Sequence, residues 1–377
     1  MTGGVVVVKL GSSTLVAGDG RLRDDVLDAR VAELVALREA GMSPVLVTSG
    51  ATACGLGLLG FTSRPDALPD LQAASAVGQG ELFARYIAAF RQHGAVPGQV
   101  LLTSADLEHR ASYVNARNTL DRLIDLGAVP VINENDTTAT DELTFGDNDV
   151  LAAQVAILLR ARLLLLLTER EGLYAPGPDG PVLIGEVPAG TSPSDLALAD
   201  MPVSAAGRGG VASKVAAAGM ATAGGVRCII ASGVHEGVIT AAATGTAVGT
   251  GFVATGRREG AFKLWLRHAK PAMGRIVVDS GAVRALVDQG TSLLPVGVVA
   301  CEGTFVAGDA VLVVGPDGSP VGKGIADLSA DEVRTVMGMR SDDARGVLPG
   351  ACAEVVHRDR FSLDGEDAGS ASRDALA

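Results

Sequence analysis

"VVVVKLGSS" (residues 5–13) sets four valines, a lysine and a leucine ahead of a glycine turn. A short apolar run closed by glycine suits a β-strand buried on both faces. The same signature recurs at "PVLVTSG" (44–50), "VPGQVLL" (96–102), "AVPVIN" (128–133), "RLLLLLT" (162–168) and "VRCII" (226–230). Helical patterns separate these runs. Asp24 and Asp25 are placed to cap a helix running to about Ala40, with Gly41 ending it, and "VASKVAAAGMATAG" (211–224) reads as another helix. Strands alternating with helices predict an α/β fold: a mainly parallel sheet covered on both sides, a three-layer αβα sandwich. Ligands in such sheets bind beyond the carboxyl ends of the strands. The residues just after each run are therefore the ones to read for chemistry.

The pattern changes after residue 256. "GRREGAFKLWLRHAKP" (256–271) is basic and holds the only tryptophan. Short strand-like runs follow, "GRIVVD" (274–279), "VGVVAC" (296–301), "AVLVVGPDG" (310–318) and "PVGKGIA" (320–326), divided by turn residues. The expected organisation is an α/β domain over residues 1–256, a basic linker over 257–272, a small β-rich domain over 273–359 and a disordered polar tail over 360–377.

Composition narrows the function. The 377 residues suffice for two domains, and the net charge of −12 argues against a general nucleic-acid binder, since phosphate backbones reward clustered Lys and Arg. Cys54, Cys228, Cys301 and Cys352 form no C-x-x-C pair, so neither a zinc site nor a redox motif is expected. With no disulfide framework, signal peptide or apolar run of membrane-spanning length, the expected location is the cytoplasm.

Three strand ends carry glycine turns: "KLGSS" at Lys9, "TSGA" at Thr48 and "GRGGVASK" at Gly207. Glycine lets backbone N–H groups approach an anion, and the last turn opens a helix whose N-terminus adds partial positive charge. Lys214 lies one turn into that helix, and Lys9 is an ammonium at the end of a buried strand, where a charge needs a partner. Together these make a phosphate cradle, although each turn alone could simply end a strand. A Walker P-loop is excluded, because Lys214 follows Ser213 and precedes Val215. "GTGFVA" (249–254) fits the loose dinucleotide pattern but lacks a clean preceding strand, so it is read as chance. Thr168 and Glu169 leave another strand, where they could meet a nucleotide or solvent. Ser49 lies outside a G-x-S-x-G elbow and is not read as a nucleophile.

"INENDTTATDELTFGDND" (132–149) packs Glu134, Asp136, Asp141, Glu142, Asp147 and Asp149 directly after an apolar run. If phosphates lie on the glycine turns, the second ligand could be a small molecule carrying an ammonium group. Asp136 could pair with that group and Asn148 hydrogen-bond beside it. Asp147 and Asp149 could orient Lys9 and Lys214 or hold Mg²⁺. Helix capping alone would account for one of these aspartates. Asp141 and Glu142 are read as solvated.

"VVVKLGSS", "VTSGA", "VPVINEND", "FGDND", "LLLLT…GLY" and "GRGGVASK", in this order, resemble the glutamate 5-kinase family of the amino-acid kinase superfamily. "SLLPVGV", "GD" and "EVVHRD" resemble its C-terminal PUA domain. The resemblance covers roughly residues 5–359. It implies the amino-acid kinase fold, ATP and Mg²⁺ as cofactors, and phosphorylation of the γ-carboxylate of L-glutamate, the first step of proline biosynthesis. It also implies a homo-oligomer, proline as feedback inhibitor and a glutamyl phosphate reductase acting on the product. By the same resemblance Lys9, Lys214 and Asp149 are catalytic. Lys9, Gly11, Ser12, Thr168, Glu169, Arg208, Gly209, Gly210, Val211, Ala212, Ser213 and Lys214 face ATP, and Ser49, Gly50, Ala51, Asn133, Asp136, Asp147 and Asn148 face glutamate. No metal-ligating residue is assigned. Arg208, Val211 and Ser213 stand where the family usually has Thr, Met and Thr, and Glu169 where it usually has Asp; all four lie on the nucleotide side.

The chemistry suits these residue types. A carboxylate acceptor is already ionised at neutral pH, so it needs no general base, in keeping with the absence of a catalytic histidine. Two other readings stand beside this one. Another superfamily kinase would act on aspartate, N-acetylglutamate, carbamate or a nucleoside monophosphate. An RNA-binding regulator would use the PUA-like domain and the basic 256–271 stretch, a reading the overall negative charge disfavours.

Overall fold

The computed structural model describes residues 3–17, 21–108, 110–138, 147–191, 196–199, 210–255, 261–268, 270–348 and 354–363. The chain divides into two compact units, Met1–Phe262 and Lys263–Ala377.

The first unit runs β1 (Val5–Leu10), α1 (Ser12–Leu15), α2 (Asp24–Glu39), β2 (Ser43–Val47), α3 (Ala51–Leu58), α4 (Leu68–Gln92), β3 (Pro97–Leu102), α5 (Ser104–Glu108), α6 (Arg110–Asp125) and β4 (Val129–Glu134). It continues with α7 (Asp147–Leu158), β5 (Leu163–Thr168), β6 (Tyr174–Ala175), β7 (Val182–Leu183), β8 (Glu186–Val187), α8 (Val211–Ala223), β9 (Arg227–Ser232), α9 (Val238–Thr244) and β10 (Thr250–Phe252). An eight-stranded sheet has the order β3-β4-β2-β1-β5-β9-β10-β8. Every pairing from β3 across to β9 is parallel, and β10 turns antiparallel to β9. The expected mainly parallel α/β sandwich is what forms. Asp24 and Asp25 sit in the first turn of α2 rather than capping it, since the cap position is Arg23.

Period-two alternation in the central strands decides which layer each side chain enters. Val6, Val8 and Leu10 of β1 join Leu163, Leu165 and Leu167 of β5 in a core shared with α2, α4 and α9. Val7 and Lys9 therefore face the opposite layer, where α7 and α8 pack on each other and α7 packs on β1. Strand β1 lies between β2 and β5, so connections leave it in both directions and a crevice opens beyond its carboxyl end. Lys9 stands at that end. "GTGFVA" is no dinucleotide turn: Thr250–Phe252 is itself a strand, and Gly249, at φ +60°, brings its backbone against Ile230 and Glu171.

In the second unit a five-stranded sheet has the order β12-β11-β13-β14-β15, from β11 (Ala272–Val278), β12 (Val298–Gly303), β13 (Ala310–Val314), β14 (Pro320–Ala326) and β15 (Val356–Leu363). Helices α11 (Ser280–Gln289), α12 (Ala330–Val336) and α13 (Ser341–Val347) accompany it. Within the stretch read as a basic linker, α10 (Ala261–His268) buries Leu264, Trp265 and Leu266, and Arg267 donates to Ser362 Oγ at 3.0 Å. Strand β15 also runs past the expected end at residue 359. Phe361 is buried because Gly322 and Gly324, two apart on β14, leave its ring the space a Cβ would fill. Residues 364–377 of the expected tail lie outside the described residues. Among the described residues no helix is long and apolar enough to cross a membrane.

Candidate active site

The register of β1, β2 and β4 brings three strand ends level. Lys9 pairs with Val47, Val47 with Ile132, and Thr48 N donates to the Ile132 carbonyl at 2.8 Å. The turns that follow, at Gly11, Gly50 and Asn135, therefore open on one edge of the sheet.

On one side of this edge three charges meet. Lys9 Nζ lies 2.8 Å from Asp149 Oδ1, and Lys214 Nζ lies 3.1 Å from Asp149 Oδ2. The three residues are only 4%, 0% and 8% exposed for Lys9, Asp149 and Lys214. Such burial is tolerable only because the charges are paired. Each arrives on a different element: Lys9 from β1, Asp149 from the first turn of α7, Lys214 from the first turn of α8. Ser213 Oγ donates to the same Asp149 Oδ2 at 3.0 Å.

Two ammonium groups share one carboxylate, and the protonation balance reflects it. Burial pushes the Asp149 carboxyl up, but Lys9 and Lys214 outweigh it and hold the group below the usual carboxylate range. Burial pushes Lys9 below the usual lysine value; Asp149 opposes this and Lys214 adds to it. Two ammonium groups thus converge on one carboxylate, a setting suited to an incoming anion. The glycine turn runs directly beside the ammonium group: a Cβ at Gly11 would lie in ordinary contact with Lys9 Nζ, at 3.5 Å. Helix α8 begins at Val211 behind Gly210, which offers no side-chain cap, and its N-terminus adds partial positive charge beside Lys214.

The other side is built from neutral donors around one carboxylate. Asp136 Oδ2 accepts from Ser75 Oγ at 2.6 Å, and Thr52, in the first turn of α3, acts on the same carboxylate. No cation pairs with Asp136 among the described residues. Burial raises its carboxyl above the usual value, and the two hydroxyls pull it back. Asn133 is buried; its Nδ2 donates to Gln79 Oε1 at 2.6 Å and its Oδ1 accepts from Glu134 N at 3.0 Å. Asn148 Oδ1 accepts from the same Glu134 N at 3.3 Å, which leaves its Nδ2 as the donor to offer a ligand. Asn148 and Asp149 are neighbours at the start of α7, so this one helix end serves both sides of the site. Gly50, at φ +107°, turns the chain from β2 into α3, placing Ser49 and Ala51 on either side of the turn.

Ser75, Gln79 and Thr52 were not among the expected site residues. Helix α4 carries Ser75 and Gln79 one turn apart, and it approaches α3 so closely that a Cβ at Gly78 would overlap the Ala51 carbonyl and one at Gly55 the Ala74 carbonyl. At the end of β5, the Thr168 carbonyl accepts from Gly233 N at 2.6 Å, while Glu169 is exposed. Ser12 opens α1 directly after Gly11, and Val211 and Ala212 form the first turn of α8. Arg208, Gly209, Asp141, Glu142 and the side chain of Asp147 lie outside the described residues.

The model of the amino acid kinase family matches residues 4–232, and that of the PUA domain residues 274–348. A protein named glutamate 5-kinase from Streptomyces coelicolor is 45% identical over 360 residues, covering 94% of this chain and 95% of that protein. The chain belongs to the glutamate 5-kinase family. Further proteins named glutamate 5-kinase, from Pseudomonas putida (strain W619) and Thioalkalivibrio sulfidiphilus, are 44% and 43% identical over 361 residues, each covering 95% of this chain and 97% and 96% of the relatives. The kinase-family match contains both sides of the site, from Lys9 to Lys214. The PUA match falls within the second unit.

Proposed function

We propose that the chain phosphorylates L-glutamate, transferring the γ-phosphoryl group of ATP to the γ-carboxylate to give L-glutamyl 5-phosphate and ADP, the first step of proline biosynthesis. One observation carries the assignment of sides. Two ammonium groups converge on Asp149 in the buried cluster Lys9–Asp149–Lys214, while Asp136, nearby in the chain to the α7 start, has no cation partner among the described residues. A polyanionic donor suits the first and an amino-acid ammonium the second.

In this reading Lys9 and Lys214 bind the donor phosphates, with Gly11, Ser12 and the segment from Arg208 to Ser213 around them, and Thr168 and Glu169 toward the nucleoside. Asp149 keeps the two ammonium groups apart and aimed. Asp136 holds the acceptor's ammonium group, and Asn148 offers its Nδ2 to a carboxylate. Ser49, Gly50, Ala51, Asn133 and Asp147 complete the acceptor side. A carboxylate oxygen of glutamate attacks the γ-phosphorus in line; the bond from that phosphorus to the bridging oxygen breaks, and ADP leaves with the electron pair. The acceptor is ionised at neutral pH, so no base is required. The obstacle is repulsion between two anions, and oriented ammonium groups remove it by stabilising charge on the moving phosphoryl group.

The glycine turn and the lysine pair fit ATP. The fit to Mg²⁺ as a protein-held ion is poor: both oxygens of Asp149 face lysines, and no group of three or more His, Cys, Asp or Glu side chains among the described residues could hold a metal. Mg²⁺ would instead be held by the phosphates of the nucleotide. Family likeness also supports a homo-oligomer, proline as feedback inhibitor, a reductase as consumer of the acyl phosphate, and a cytoplasmic location.

Asp136 separates this reading from its neighbours. N-acetylglutamate and carbamate bring no ammonium group to it. Incubation with ATP, Mg²⁺ and hydroxylamine tests the point by trapping the acyl phosphate. Glutamate should give γ-glutamyl hydroxamate at a rate well above that with aspartate or N-acetylglutamate. Equal or greater turnover of N-acetylglutamate would overturn the reading.

A further inference from the structure

We propose that Ser75 of α4 and Thr52 of α3 are positioning residues for the acceptor: their hydroxyls hold the carboxylate of Asp136 where the acceptor's ammonium group docks. The inference rests on the reading of Asp136 given above. It arises from three observations. Ser75 is 3% exposed, and its Oγ lies 2.6 Å from Asp136 Oδ2. Thr52, in the first turn of a second helix, acts on the same carboxylate and opposes the effect of burial as Ser75 does. Those two helices are held against each other by backbone contact at Gly55 and Gly78, so Ser75 and Thr52 keep a fixed relation to each other.

A carboxylate in a turn, as Asp136 is just after β4, can rotate about two side-chain bonds. Two donors on separate rigid elements remove that freedom before the ligand arrives, which lowers the entropy cost of binding. They serve a second purpose. Burial favours the protonated carboxyl, and a protonated Asp136 cannot pair with an ammonium group. Hydrogen bonds to the ionised form oppose that drift. The groups that face Asp136 from α3 and α4 are these two hydroxyls, and no charged side chain among the described residues enters the balance. Removing either hydroxyl should therefore weaken ammonium recognition most at low pH, where the carboxylate is easiest to lose.

Ser75→Ala and Thr52→Val, the second nearly isosteric, are compared with the parent using glutamate and glutarate, which lacks the amino group. In each variant KM for glutamate should rise about tenfold, in line with the loss of one hydrogen bond to a charged group. The kcat value and KM for ATP should stay within about twofold, a range small against that tenfold change. The preference for glutamate over glutarate should fall by the same factor, and the acid limb of kcat/KM for glutamate should move to higher pH. A merely structural defect would weaken ATP and both acceptors alike. If either variant folds, melts like the parent and keeps the full glutamate preference and pH profile, the inference is wrong. If the parent itself does not phosphorylate glutamate, the underlying reading fails instead; if Asp136→Asn loses the preference and both hydroxyl variants keep it, only the positioning role fails.

Discussion

The two sides of the candidate site solve the same problem, a buried carboxylate, in opposite ways. Asp149 is fully buried and carries two ammonium partners at 2.8 and 3.1 Å. Asp136 is half-buried and carries two hydroxyls and no cation among the described residues. The first carboxylate gathers ammonium groups that suit an anion; the second, with no cation among the described residues, suits a cationic ligand. The difference implies a division of labour. Removing charge on the first side should damage the chemical step, and removing it on the second should damage acceptor binding.

The largest break is expected on the first side. Lys9→Ala, Lys214→Ala and Asp149→Asn should each lower kcat by about a thousandfold, roughly 4 kcal/mol, as expected for preorganised charge at a phosphoryl transfer. Hydroxamate formation by folded variants measures it. Asp149 also has a pH signature. Its folded pKa is depressed, so its contribution to stability is present in full above the unfolded value near ~4 and is lost as pH falls through the folded value. The stability gap between the parent and Asp149→Asn should therefore shrink on acidification below pH ~4, as followed by denaturant titration. On the second side, Asp136→Asn should raise KM for glutamate by about 30- to 100-fold, roughly 2–3 kcal/mol, with kcat nearly kept.

Weaker effects sharpen the same contrast. Gly78→Ala forces a Cβ onto the Ala51 carbonyl, so α3 and α4 must separate. Stability should fall by about 1–3 kcal/mol, read from the melting temperature, and KM for glutamate should rise while KM for ATP does not. Smallest of all, Ser329→Ala in the second unit breaks the capping box with Glu332 at the start of α12 and should cost about 1 kcal/mol without changing kcat.

The two sides also differ in how far the sequence reveals them. A lysine inside "VVVVKL" and an aspartate ahead of "VLAAQVAIL" stand out because charge is costly in apolar surroundings. The alternating strands and helices were equally legible from their apolar runs. Ser75 and Gln79 were not, because within "AASAVGQGEL" (73–82) they look like any polar positions of an amphipathic helix. Gly78 was the available hint, since glycine in a helix costs about 1 kcal/mol relative to alanine and needs a packing reason. Yet Gly80, two residues on, meets nothing within 4 Å, so the hint is ambiguous without coordinates. Ser213 was read as a departure from the family pattern on the nucleotide side; its hydroxyl in fact bonds Asp149, a partner 64 residues away that no local pattern could indicate. The burial of Phe361 was encoded in the paired glycines of "VGKG", but only strand pairing shows which aromatic they admit.

Steady-state kinetics of ATP-dependent glutamate phosphorylation, run side by side on Lys214→Ala and Asp136→Asn, test the division of labour most directly. The account predicts that Lys214→Ala lowers kcat with KM for glutamate almost unchanged, and that Asp136→Asn raises that KM with kcat almost unchanged. Both substitutions falling on the same constant, or the two effects exchanged, would contradict it.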